Sequence, residues 1–165
     1  MTKSVEQLIL ALSKEYEIYA NYLALAKRKK EVIVEGNIKE LDDITKKEQD
    51  VIASIGKIDE IRTAIIGNVL YEQQIPSVES ITDLSNYLEE PEKTRVLEIK
   101  HKLESVLTEI ANINKLNSRL IQQSLDYINF NMNLVSSLES TGSTYSDQAD
   151  EKDLKKRSNL FDAKV

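Results

Sequence analysis

The chain has 165 residues, with 22 Lys plus Arg against 28 Asp plus Glu for a net charge of -6, one His, no Cys, no Trp, 4 Gly and 2 Pro. So few turn-forming residues cannot serve a sandwich, a barrel or a doubly wound sheet, and an all-α fold is expected. The acidic balance works against a nucleic-acid partner, and without cysteine there is no disulfide framework, thiolate nucleophile or sulfur-ligated metal.

Ser4 followed by Gln7 is a capping-box pattern, and Gly36 stands where a left-handed C-terminal residue belongs, which predicts a first helix over 4–35. Val5, Leu12, Tyr19, Ala26 and Ile33 recur every seven residues, with Ile9, Tyr16 and Leu23 beside them, a single stripe for one neighbouring helix. The apolar stretch Leu8 to Leu12 is short, follows Glu6 and lacks a cleavage site. No stretch approaches the roughly 18 apolar residues of a membrane span, so a soluble, cytoplasmic protein without membrane insertion is expected. Asn37 and Glu40 then restart a helix with almost no loop, which makes the two helices antiparallel neighbours. The second seam, Leu41, Ile44, Val51, Ile55, Ile58, Ile65 and Val69, is interrupted by Glu48 and Arg62. These lie about 21 Å apart along a helix, so each needs a partner on another helix or water.

Residues 72–91 hold both prolines and read as an interruption with one short helix, roughly Ser80 to Leu88, capped by Ser80 and Asp83. Pro91 suits the first turn of a third helix, whose apolar residues run unbroken from Val96 to Leu138. A helix of that span is on the order of 65–70 Å long and must pack on the first two. The expected architecture is an elongated antiparallel three-helix bundle over 1–139, with a short extra helix between the second and third. Ser140 to Thr144 reads as a breaker, and 140–165 as a mobile tail with the capacity for a short helix from Asp150 to Leu160 on binding.

Glu98 and His101 have the Glu-x-x-His spacing of di-metal bundles, but that site needs two such pairs and the chain has one His, off the apolar stripe and flanked by Lys100 and Lys102. No phosphate loop or nucleophile triad occurs, so neither an enzyme nor a cofactor is expected. Tyr16, Tyr19 and Tyr22 fall within two turns and read as core residues whose hydroxyls reach the bundle edge. In the last part of the third helix the core row turns polar at Asn117, Ser124 and Asn131, while Ile121, Leu125, Ile128, Met132 and Val135 form a second apolar row beside Leu120, Tyr127 and Leu134. Two arrangements use so wide a face. One is a second bundle seam whose Asn residues fix register, and the other a groove for an amphipathic helix of another protein.

Several of these residues together resemble the FlgN-type flagellar export chaperones: Tyr19, Leu23, Leu25, the Gly36-Asn37 corner, Leu41, Ile44, Glu48, Ile55 and Arg62, then Asn114-x-x-Asn117-x-x-Leu120-Ile121, then a Ser-Thr-Tyr element ending at Tyr145 and Leu160-Phe161 near the C-terminus. Where family members commonly have glycine after that tyrosine, this chain has Ser146-Asp147-Gln148-Ala149. The resemblance implies a cytoplasmic, non-enzymatic helical chaperone for hook-filament junction proteins (hook-associated proteins), which binds their C-terminal segments, prevents premature assembly and delivers them to the export gate at the membrane. It implies a gate-docking role for Tyr145 and client contacts at Val135, Leu138, Leu154, Leu160 and Phe161. The competing expectation is a coiled-coil structural or scaffold protein with no client.

Overall fold

The computed structural model describes residues 2–142, and the helices among them are α1 (Lys3–Glu35), α2 (Ile38–Glu72), α3 (Ile81–Ser85) and α4 (Glu92–Gly142). No strand occurs among the described residues. The chain divides into two compact units, the first through Gln123 and the second from Ser124, so α4 contributes to both.

Local chemistry sets most of the helix ends. Gly36 takes φ 70° and ψ 24°, the left-handed conformation a side chain strains, and closes α1 by donating its N–H to the Ile33 carbonyl at 3.2 Å. Asn37 caps α2: its Oδ1 accepts from the Glu40 N–H at 3.1 Å and its amide donates to Glu40 Oε2 at 3.2 Å. Ser80 caps α3 in the same way, accepting from the Asp83 N–H at 3.1 Å. That helix stops at Ser85, short of Leu88, because the Tyr87 and Leu88 N–H groups turn to carbonyls three residues back. Pro91 stands just before α4, where its carbonyl accepts from the Arg95 N–H at 3.1 Å.

The start of α1 departs from the capping box. Thr2 is the cap residue and makes no side-chain capping bond, while Ser4 lies inside the helix. Buried against the end of α2, Ser4 donates its hydroxyl to Glu72 Oε1 at 2.6 Å, where the capping box would have had its oxygen accept from a local N–H. At the other end of the chain, α4 runs through Ser140 and Thr141 to Gly142, into the segment expected to break it. One glycine and one β-branched residue at a helix terminus cost too little to stop it earlier.

In the first unit α1 and α2 form an antiparallel hairpin whose polar pairs keep step: residue 4 with 72, 15 with 62, 29 with 48. Arg62 Nη1 donates to both oxygens of Glu15, at 2.6 and 2.8 Å, and Lys29 Nζ donates to Glu48 at 2.8 Å. The two charged interruptions of the α2 seam therefore both find their partners on α1. The main apolar cluster joins Val5, Leu8, Ile9 and Leu12 of α1 to Val69 of α2, Ile75 and Leu88 of the connections, Leu84 of α3, and Val96 and Leu103 of α4. Each fully buried side chain of this kind contributes about 1.5–3 kcal/mol. Because the start of α1 meets residues from every other helix, it buries Leu8 and Ala11 as well as the seven-residue row, a broader face than the single stripe expected. Further along, Asn114 Nδ2 donates to the Tyr22 hydroxyl and Asn117 Nδ2 to the Ala26 carbonyl, both at 3.0 Å, which sets α4 alongside α1. No helix among the described residues is long and apolar enough to cross a membrane.

Candidate partner-binding surface

The sequence of α4 changes character along its length, and so does its burial. In the first unit Val96, Leu103, Val106 and Ile110 are buried at helical spacing. In the second unit Leu125, Tyr127, Ile128, Phe130, Met132, Leu134, Val135 and Leu138 are all exposed, from 44% at Met132 to 68% at Tyr127. At about 100° per residue, Leu125, Ile128, Met132 and Val135 form one stripe, and Tyr127, Phe130, Leu134 and Leu138 an adjoining one. Asp126, Asn129, Asn133 and Ser136 take the opposite side. The only charges in 124–139 are Asp126 and Glu139. Each of these groups would gain by leaving water, and a contiguous apolar patch of this size is uncommon on a protein surface.

The site residues expected from sequence divide into two sets. Val135 and Leu138 lie on this face, one on each stripe, and are 56% and 64% exposed. Tyr145, Leu154, Leu160 and Phe161 lie outside the described residues. Phe130 belongs to the face but was missed, since it sits between Asn129 and Asn131 and off the seven-residue rows. Its distance of three from Tyr127 and four from Leu134 was the available signal. The polar row separates by depth: Asn117 is buried and hydrogen-bonded, Asn131 half-buried, Ser124 exposed. The second-seam arrangement thus describes Asn117, whereas Leu125, Tyr127, Ile128, Met132, Leu134 and Val135 in the later rows are exposed.

The remaining polar candidates have structural surroundings. Tyr16, Tyr19 and Tyr22 are half-buried. Burial, and then the neighbouring Glu15 carboxylate, push the Tyr19 phenol above its ordinary value. Glu98 and His101 are both exposed, and His101 Nδ1 lies 3.3 Å from Glu104 Oε2. The Glu104 carboxyl is held below its usual range chiefly by the hydrogen bond it accepts from Lys100 at 2.6 Å. No group of three His, Asp or Glu among the described residues is placed to hold a metal ion. An open concavity of about 430 Å³ beside α3 is lined by Ser77, Val78, Glu79, Asp83, Asn86 and Tyr87.

A family model described as FlgN protein matches residues 1–153. Neither curated proteins nor solved structures give a match. The matched range takes in the whole exposed face of α4 and Tyr145, and it ends one residue before Leu154.

Proposed function

The chain belongs to the FlgN family, a family of flagellar export chaperones, and on that premise we propose that it binds the C-terminal segments of hook-filament junction proteins in the cytoplasm. It keeps them from assembling early and hands them to the export gate. The observation that carries this reading is the exposed apolar face of α4 from Leu125 to Leu138, which suits an amphipathic client helix with anchors at i, i+3, i+4 and i+7. In this reading residues 1–139 form an antiparallel three-helix bundle. Val135, Leu138, Leu154, Leu160 and Phe161 contact the client, and Tyr145 docks on the gate. A client that orders as it binds gives back part of the interaction energy in lost entropy, so affinity stays moderate and release needs no covalent step.

The test is a titration of the full chain with a synthetic C-terminal peptide of a junction protein, followed by calorimetry and circular dichroism. Saturable binding with a gain in helicity is expected. Val135→Glu with Leu138→Glu weakens it at least tenfold, as about 1.4 kcal/mol of lost apolar contact requires. Tyr145→Ala leaves client binding unchanged and abolishes capture of the gate's cytoplasmic domain. A client-free coiled-coil scaffold predicts no binding at high micromolar peptide, and that outcome removes the proposal.

A further inference from the structure

We infer that α4 is built to part from α1 at Asn117 while its contact through Ile110 stays closed, so that the helix carries a hinge inside the first unit. The apolar anchors of α4 end early. Val96, Leu103, Val106 and Ile110 are buried, and the next buried residue along the helix is Asn117, 3% exposed. Between them Ile113 is half-buried and Leu116 exposed. Beyond Ile110 the helix is held to α1 through amide bonds, from Asn114 to the Tyr22 hydroxyl and from Asn117 to the Ala26 carbonyl. Lys27 and Glu109 also pair across the two helices, but both side chains are more than half exposed, so the pair adds little.

The Asn117 bond is poorly matched. Its Oδ1 is buried and finds no donor among the described residues. Turning the amide over gives no remedy, because the oxygen would then face the Ala26 carbonyl, one acceptor against another. Ala26, for its part, does not depend on the amide. It lies inside α1, where the N–H four residues on is the regular partner of its carbonyl. A buried polar atom left unpaired costs more than one neutral hydrogen bond returns. Leucine has the same branched outline and leaves nothing unpaired, so it would hold the two helices more firmly than asparagine does. Residue 117 therefore keeps the contact weaker than its position allows, next to an apolar core that stays shut, and that combination favours local over global opening.

Hydrogen exchange of the full chain, with no partner added, reads the hinge directly. Amides of 112–119 are expected to exchange roughly tenfold or more faster than those of 96–110. Asn117→Leu should slow 112–119 by roughly tenfold and raise the urea midpoint. Asn117→Asp, which trades the donor for a buried charge, should speed 112–119 by a similar factor and leave 96–110 unchanged. Equal exchange of the two stretches in the parent overturns the hinge, and that readout needs no variant to fold. An asparagine kept for register, or one whose oxygen is satisfied by an internal water, predicts instead that Asn117→Leu lowers the urea midpoint, and this result also overturns it. So does an Asn117→Asp chain in which 96–110 speeds up as much as 112–119. Exchange is read in the free chain and client binding by titration, so failure of either leaves the other standing.

Discussion

Arg62 satisfies two carboxylates at once, Glu15 across the hairpin and Asp59 one turn earlier on its own helix. The Glu15 side chain is only 7% exposed, so its charge has little water to fall back on. Arg62→Ala strands that carboxylate, and the expected loss is about 3 kcal/mol in urea-induced unfolding. Lys46→Ala breaks a pair with Asp42 in which both side chains are more than 60% exposed, and should shift stability by less than about 0.5 kcal/mol. Equal losses from the two variants would show that the buried pair has no special weight. Charged residues in an apolar seam announced that partners were needed. They could not announce which, because Glu15 is 47 residues from Arg62 and only the turn at Gly36 brings the two together.

At the level of elements, the corner between α1 and α2 was the most legible feature, since Gly36, Asn37 and Glu40 act on one another within a single turn. Arg28 adds what spacing along one helix could not reveal. Its Nε and Nη2 donate to the two oxygens of Glu40 at 2.8 and 2.9 Å across the corner. These bonds hold the Glu40 carboxyl below its usual range. Since the folded value is depressed, the contribution of Glu40 is present in full above the unfolded carboxyl pKa of about 4.3 and is lost as pH falls through the folded value. Carbon-detected NMR titration of the parent and of Arg28→Ala should show the Glu40 midpoint rising when the guanidinium is removed. A midpoint unmoved by Arg28→Ala would remove this pair as the cause. Ser4 shows the converse limit: its spacing from Gln7 read as a cap, whereas Thr2 takes the cap position and the Ser4 hydroxyl goes to Glu72 across the hairpin.

On the scale of the whole molecule, α4 is one continuous element with two thermodynamic environments. Amides near Val96, Leu103 and Ile110 are anchored by buried side chains, whereas those from 126 to 138 lie under exposed ones. Hydrogen exchange should accordingly proceed by local opening in 126–138 and only by opening of the core in 96–110, with a difference in protection of at least tenfold. Saturating junction-protein peptide should narrow that gap, and equal protection in the free chain would contradict it. The sequence displayed an unbroken apolar pattern from Val96 to Leu138 and so predicted the helix, yet not the change in burial along it. Periodicity marks which side of a helix is apolar and is silent on whether anything lies against it.

The lockstep of the hairpin pairs constrains how such a chain can change length. From Ser4 to Glu15 the numbering advances by 11 while the partner retreats by 10, and from Glu15 to Lys29 both move by 14. Inserting one residue into either arm would swing everything beyond it by about 100° and part every pair on the far side. Removing seven residues from one arm requires removing seven from the other. Tolerated insertions and deletions in this hairpin should therefore come as matched heptads placed symmetrically about Gly36, the arms lengthening and shortening together.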